Sequence, residues 1–300
     1  MKSEAEPALP IWLRTLYPFQ PRQFTTPKGA RLSYLDEGPR ADEAVLMLHG
    51  NPTWSFFYRD VVRSLSPNLR CLVPDHIGMG LSEKPQNYDY RLASRIADVE
   101  ALVASLGLKR IHLVVHDWGG AIGFGFATRH PEAIGRIVIL NTAAFFSTHI
   151  PKRIALCRAG YFGEWLVRGL NGFAGPASWM STVHRLPSEV KRGFLFPYDS
   201  WANRIAVHRF VQDIPMAPNH PTRTVLDAVE AKLPLLANRE KLILWGGRDF
   251  CFNDYFLARW RSIFPLASVQ RYAEAGHYLL EDAGEDTIGR INRFFLPTAR

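Results

Sequence analysis

Ile111-His-Leu-Val-Val-His-Asp-Trp-Gly-Gly120 is the stretch that decides the fold. An apolar run of strand length ends on a polar pair, and two glycines follow at once. Such a run reads as a strand buried on both faces, which belongs in a parallel sheet covered by helices. Asp117 stands where that strand gives way to the next helix. Asp is also a good helix N-cap, so position alone leaves a purely structural reading open. Gly119 and Gly120 ask for more than a cap, because glycine at such a turn lets neighbouring backbone approach closely. A sharp turn here presents the Asp117 side chain at the top of the sheet.

The same pattern recurs on both sides. Val45-Leu-Met-Leu48 leads into His49-Gly-Asn-Pro52, and Arg70-Cys-Leu-Val73 into Pro74-Asp-His-Ile-Gly-Met-Gly-Leu-Ser82. Ile137-Val-Ile-Leu140 leads into Asn141-Thr142, and Leu242-Ile-Leu-Trp245 into Gly246-Gly-Arg-Asp249. Helical periodicity lies between the runs, as in Ser94 to Leu106, with Ile96, Val99, Leu102, Val103 and Leu106 inward. Asp254 to Phe264 reads the same way, and Thr287 to Phe295 forms a terminal helix. This alternation predicts an α/β doubly wound domain with a mostly parallel twisted sheet flanked by helices. The rhythm breaks between about Phe145 and Pro215, which is rich in Trp, Phe, Tyr and Arg and punctuated by Gly-Pro and Leu-Pro. Residues 145–216 are therefore predicted to be a helical cap inserted after the sixth strand, into a core of residues 1–144 and 217–300.

Composition removes several function classes. With 300 residues, 47% hydrophobic and 21% charged, the chain is globular and not disordered. Apolar stretches such as Ala121 to Ala127 fall far short of the ~18 residues of a membrane span. Met1 to Pro10 carries two acids, two prolines and no apolar signal core, so a soluble cytoplasmic chain is expected. Cys71, Cys157 and Cys251 show no paired spacing, which argues against a disulfide framework or a cysteine zinc site. The ten histidines lack any His-Glu-x-x-His spacing, so no metal is implied. Gly78-Met-Gly80 lacks the full Gly-x-Gly-x-x-Gly and a helix opening on it, which argues against dinucleotide binding. No cofactor is expected.

The formal net charge is +8, and between Phe145 and Val225 ten basic residues face only four acidic ones. There is no block of five or six like charges and no nucleic-acid motif, so DNA or RNA binding is not expected. A solvated basic face accounts for the excess by default. Contact of the basic cap with a peripheral membrane surface, or with an acidic partner in a pathway-enzyme assembly, is the alternative use.

In parallel α/β sheets ligands bind outside the carboxyl ends of the strands, so polar residues after the apolar runs carry the chemistry. Asp117 and Asp249 follow such runs, and His277 follows Tyr272-Ala-Glu-Ala-Gly276 at the end of the expected last strand. The order nucleophile, acid, histidine is that of the α/β-hydrolases. A carboxylate is already anionic at neutral pH and needs no base to attack. It suits displacement at a saturated carbon bearing a leaving group, giving an alkyl-enzyme ester whose fate the histidine controls. Asp249 would orient His277 and stabilise its charged form. The absence of Gly-x-Ser-x-Gly disfavours esterase activity. Asn51 and Trp118 can offer an amide and an indole N–H to a departing anion, each such donor contributing about 3 kcal/mol to the barrier reduction.

These residues resemble the haloalkane dehalogenase group of α/β-hydrolases over nearly the whole chain. His49-Gly-Asn-Pro-Thr-Trp-Ser55, Asp75-His-Ile-Gly-Met-Gly-Leu-Ser82, His116-Asp-Trp-Gly-Gly120 and Gly276-His277 carry the resemblance. It implies nucleophile Asp117, acid Asp249 and base His277, with Asn51 and Trp118 holding the leaving group. One dehalogenase subfamily places a Glu acid after the sixth strand; here Asn141-Thr142 stands there, which leaves Asp249. Finer features are similar to the β-lactone decarboxylases of bacterial long-chain olefin biosynthesis. They are Asn141-Thr-Ala-Ala-Phe145, Pro197-Tyr-Asp-Ser-Trp201, Phe210-Val-Gln-Asp-Ile-Pro215, Asp249-Phe-Cys-Phe252 and Tyr278-Leu-Leu-Glu-Asp282. That resemblance implies cis-3,4-dialkyl-β-lactone substrates and cis-olefin and CO2 products, with attack at the β-carbon or at the lactone carbonyl. It leaves His277 without an obvious duty, since no water need attack.

Cap aromatics Phe162, Trp165, Phe173, Trp179, Phe194 and Phe196 would then receive long alkyl chains or pack the cap onto the core. Haloalkane dehalogenase is the alternative reading, with the same five residues. An epoxide hydrolase would need cap tyrosines as acids, for which Tyr161 and Tyr198 are available. A catalytically dead binding protein on this fold is the remaining class, against which an intact nucleophile, acid and base argue.

Overall fold

The computed structural model describes residues 9–296. The expectation drawn from Met1 to Pro10 therefore falls largely outside the described residues. Eight strands form one sheet: β1 (Arg22–Thr25), β2 (Arg31–Glu37), β3 (Glu43–Leu48), β4 (Cys71–Pro74), β5 (Arg110–Asp117), β6 (Ile134–Thr142), β7 (Lys241–Gly246) and β8 (Ser268–Tyr272). Their order is β1-β2-β4-β3-β5-β6-β7-β8. β3 to β8 are mutually parallel, whereas β2 pairs antiparallel with both β1 and β4.

The expected buried runs are the central strands. β3, β5 and β7 are buried at nearly every residue, which is why they read as continuous apolar stretches. β1 and β2 gave no such signal. β1 is a mostly exposed edge strand, and β2 carries Ser33 and Asp36 among its buried residues. The Asp36 carboxylate is tolerated because Arg70 Nε donates to it at 2.8 Å, and Ser82 Oγ accepts the Ser33 backbone N–H at 2.8 Å.

Helices flank the sheet. Leu92–Ser105, Trp118–Ala127 and Pro221–Lys232 pack as one group, and Arg59–Leu65 with Gly284–Phe295 as another. Between β6 and β7 the chain leaves the sheet and builds Lys152–Cys157, Gly160–Glu164, Ala174–Met180, Ser188–Leu195 and Ile205–Gln212. Pro151 and Pro187 stand immediately before two of these short helices, where a missing N–H costs nothing.

Two anchors seat this insert. The Trp54 indole donates to Gly193 O at 3.1 Å, and Gly193 lies so close to the Phe56 ring that a Cβ there would stand 2.4 Å from it. Asp213, just past the helix Ile205–Gln212, accepts the Leu92 N–H at 2.8 Å, Arg95 at 3.1 Å and the Thr222 hydroxyl at 2.6 Å. It thereby caps a core helix from the insert.

Candidate active site

The strand order places the carboxyl ends of β3, β5, β6, β7 and β8 side by side, and each delivers one element of the site. Asp117 ends β5 with φ 51° and ψ −126°. A positive φ at a non-glycine residue costs about 1–3 kcal/mol and persists only where the surroundings enforce it. They do so by close approach: a Cβ on Gly119 would lie 1.9 Å from Leu48 O, so only glycine lets the elbow sit on β3. The Thr142 hydroxyl also donates to Asp117 O. Although Asp117 precedes a helix, its side chain makes no capping bond. Its Oδ1 instead accepts the Asn51 N–H at 2.6 Å. The capping explanation fails, and the carboxylate borders a cavity.

His277 follows β8 and Asp249 follows β7, as the sequence order requires. His277 Nδ1 is 2.7 Å from Asp249 Oδ2, and its Nε2 is 3.7 Å from Asp117 Oδ2. Asp249 Oδ1 is occupied by the N–H groups of Cys251 (2.6 Å) and Phe252 (3.0 Å), which orients Oδ2 toward the imidazole. His116 Nε2 donates to His277 O at 2.9 Å and fixes the loop from below.

Electrostatics follow from burial. Burial opposes the charged imidazole of His277, but the Asp249 carboxylate beside it, with Asp117, lifts the pKa above its ordinary value. Burial pushes the Asp117 carboxyl up, opposed by His277 and by the N–H groups of Asn51 and Trp118, and the net direction is upward. Both groups are thus raised, His277 by its carboxylate neighbours and Asp117 by burial. Raised histidine and carboxyl groups in a cleft mark a functional site.

Asn51 serves twice. Its backbone N–H grips Asp117, while Nδ2 donates to Val207 O of the insert at 3.0 Å. One amide proton remains for a ligand, and Oδ1 is buried without a partner. Among the described residues nothing accepts the Trp118 indole N–H, whose ring packs on Phe210 at 5.4 Å. Both residues border the cavity.

That cavity has two apolar lobes of about 130 and 310 Å³, which share Asn51, Asp117, Ile154, Phe173 and Cys251. Trp118, Phe145 and Leu226 close the smaller lobe. Leu156, Trp179 and Met180 line the larger, and Leu156 and Trp179 are also exposed, so they form its rim. Of the six cap aromatics singled out from the sequence, Phe173 and Trp179 line the cavity. Phe194 packs on Phe56 at 5.1 Å and Phe196 on Trp12 at 5.9 Å, while Phe162 and Trp165 face outward. Composition could not separate these fates, because short irregular helices carry no long period to assign a face.

The tyrosines required of an epoxide hydrolase are misplaced. Tyr161 is 92% exposed, and the buried Tyr198 hydroxyl is spent on Thr53 O at 3.3 Å and the Gly80 N–H. Neither lines the cavity.

Sequence reasoning also missed supporting residues. Asn141 at the end of β6 accepts the Gly246 N–H at 2.7 Å and donates to Gly246 O at 3.0 Å, tying β6 to the strand that delivers Asp249. Its non-glycine positive φ of 23° was invisible in the sequence. Asp75 accepts the N–H groups of Ser55 (2.6 Å) and Leu81 (2.8 Å), joining the loops after β3 and β4; burial raises its pKa to about 6. Burial holds His49 at about 4, and its neutral Nε2 accepts the His76 N–H at 3.2 Å. These motif residues tie together the loops around the site.

An elbow Asp, a buried imidazole and an acid on this sheet define an α/β-hydrolase-fold enzyme. Residues 43–284 match the alpha/beta hydrolase fold family, and the chain belongs to it. The chain is 45% identical over 289 residues to a cis-3-alkyl-4-alkyloxetan-2-one decarboxylase of Xanthomonas campestris, covering 93% of this chain and 96% of that one. It is 46% identical over 293 residues to the Shewanella oneidensis protein of the same name, covering 95% and 91%. Among solved structures it is similar to haloalkane dehalogenase DbeA from Bradyrhizobium elkani, with a TM-score of 0.82, 26% identity and coverage of 91% and 96%. The dehalogenases are thus more distant relatives than the decarboxylases.

Proposed function

We propose that this enzyme is a β-lactone decarboxylase that converts cis-3,4-dialkyl-β-lactones to cis-olefins and CO2, with the helices of residues 145–216 acting as a cap over Asp117. The observation that carries this reading is the forked cavity. Two apolar lobes diverge from the nucleophile, as a ring with alkyl chains on adjacent carbons requires. A single-chain haloalkane needs only one. The names of the relatives support the same choice.

Asp117 Oδ2 displaces the ring oxygen at the β-carbon with inversion, and the C–O bonding pair leaves on the freed carboxylate. Asn51 Nδ2 and the Trp118 indole donate to that carboxylate, and each such donor is worth about 3 kcal/mol. The C–CO2 bond then breaks anti to the new ester. Its electrons form the alkene and expel Asp117 as carboxylate. Inversion followed by anti elimination equals net syn loss, so a cis ring gives a cis alkene. His277, kept charged by Asp249, faces Asp117 Oδ2 and balances its charge when the carboxylate is regenerated. No water is consumed.

The test is incubation of purified protein with a synthetic cis-dialkyl-β-lactone and a matched chloroalkane, both followed by NMR. CO2 and cis alkene from the lactone support the reading. Halide release alone, with an untouched lactone, would make the enzyme a dehalogenase.

A further inference from the structure

A second cleft, of about 530 Å³, opens at the seam between the insert and the sheet domain, and it shares no lining residue with the cavity at Asp117. Arg158 and Arg209 reach it from the insert, Tyr90 and Arg91 from the loop before the helix Leu92–Ser105, and His220 from the start of Pro221–Lys232. Two carboxylates also border it, and both are already engaged. Asp213 Oδ2 takes the Leu92 N–H and Arg95, and its Oδ1 takes the Thr222 hydroxyl and, at 3.3 Å, Arg91. Asp89 accepts the Ser94 hydroxyl at 2.6 Å and lies 3.7 Å from Lys28 Nζ.

The cations are not balanced in the same way. Among the described residues neither Arg158 nor Arg209 has a carboxylate within 4.0 Å, although ion pairs to that limit occupy most other arginines. Arg209 Nη1 donates to Gln212 at 3.1 Å, and Arg158 Nε is buried with no partner. The Arg158 guanidinium is desolvated without a counter-charge, which lowers its pKa from the ordinary value.

We propose that this cleft binds an oxyanion of the phosphate class, held between Arg158 and Arg209 of the insert and Arg91 of the sheet domain. Guanidinium forks match the paired oxygens of such an anion, and each contact is a charge-assisted hydrogen bond. The anion supplies the charge that Arg158 and Arg209 lack and, through Arg91, joins the insert to the domain beneath it. The site is independent of the lactone reading, since it lies outside the cavity that serves Asp117. The same chemistry is offered by inorganic phosphate and by the phosphate of a lipid headgroup.

Titration of the full chain with inorganic phosphate by calorimetry, beside co-sedimentation with phosphatidylcholine vesicles with and without phosphatidic acid, tests the assignment. Saturable phosphate binding is expected, weakened about tenfold in Arg158→Gln and in Arg209→Gln. Arg185→Gln removes an equal charge elsewhere on the insert and is expected to change nothing. Retained turnover in all three variants shows that each is folded. Sedimentation that needs phosphatidic acid and Arg158 identifies a lipid headgroup as the source; binding confined to inorganic phosphate identifies a free anion. Absence of binding in both arms, or equal weakening by Arg185→Gln, overturns the site.

Discussion

Gly50 and Asp117 are in contact across the site: a Cβ placed on Gly50 would stand 2.0 Å from Asp117 Oδ1. The Asp117 carboxylate therefore rests on bare backbone from the neighbouring strand's loop. Gly50→Ala is expected to push the carboxylate aside. Misplacement on the scale of an ångström costs about a hundredfold in rate. Gly119→Ala meets the backbone of Leu48 instead, at 1.9 Å, and is expected to cost about 3 kcal/mol of stability. Single-turnover labelling of Asp117 by a long-chain haloalkane, beside urea unfolding, separates the two effects.

Asp117→Asn is expected to abolish that labelling and to raise the thermal midpoint at neutral pH. The folded-state pKa of Asp117 lies above its unfolded value, so the ionised folded form is disfavoured, and this penalty is fully present above the folded pKa. As pH falls through that raised pKa the native carboxyl takes up its proton and the penalty disappears. The midpoint difference between the two proteins should therefore shrink on acidification. A difference independent of pH would show that Asp117 is not destabilised by burial.

Asp249→Asn removes the carboxylate that faces His277 Nδ1 at 2.7 Å. The His277 titration, followed by NMR, is expected to move down from its raised position, because burial is then opposed by Asp117 alone. The raised folded pKa makes His277 stabilising below its unfolded pKa, and that stability is lost as pH rises through the folded pKa. The variant should lack this alkaline loss. Its turnover is expected to fall about tenfold or more, because His277 loses charge that balances Asp117 when the carboxylate is regenerated.

Ala177→Phe narrows the larger lobe, which Ala177 lines. The KM for lactones with two long chains is expected to rise at least tenfold, with little change for short-chain lactones. Steady-state kinetics across a chain-length series checks this. Equal effects on all substrates would place the alkyl chain elsewhere.

The central parallel strands were legible because burial on both faces leaves a run of Val, Ile and Leu with nothing polar to obscure it, a signal the largely exposed β8 does not share. Asp117 and Asp249 were legible for a related reason: polar residues just after such runs stand near the strand ends, and His277 follows them in the expected chain order. β1 and β2 were hidden, one by exposure and the other by polar residues whose partners lie 34 and 49 positions away.

By itself, then, the sequence determined the central parallel strands and the turn at Asp117, and singled out Asp117, Asp249 and His277 as candidates, since periodicity and the order of strand ends are local properties of the chain. Only the tertiary structure decided that Asp117 is not a cap, that Asn51 grips it through its backbone, that two of six cap aromatics meet the substrate cavity, and that Arg158 stands unpaired at a second cleft. Each of these depends on contacts between segments far apart in the chain. Short insert helices and loop amides record such contacts in no periodic pattern.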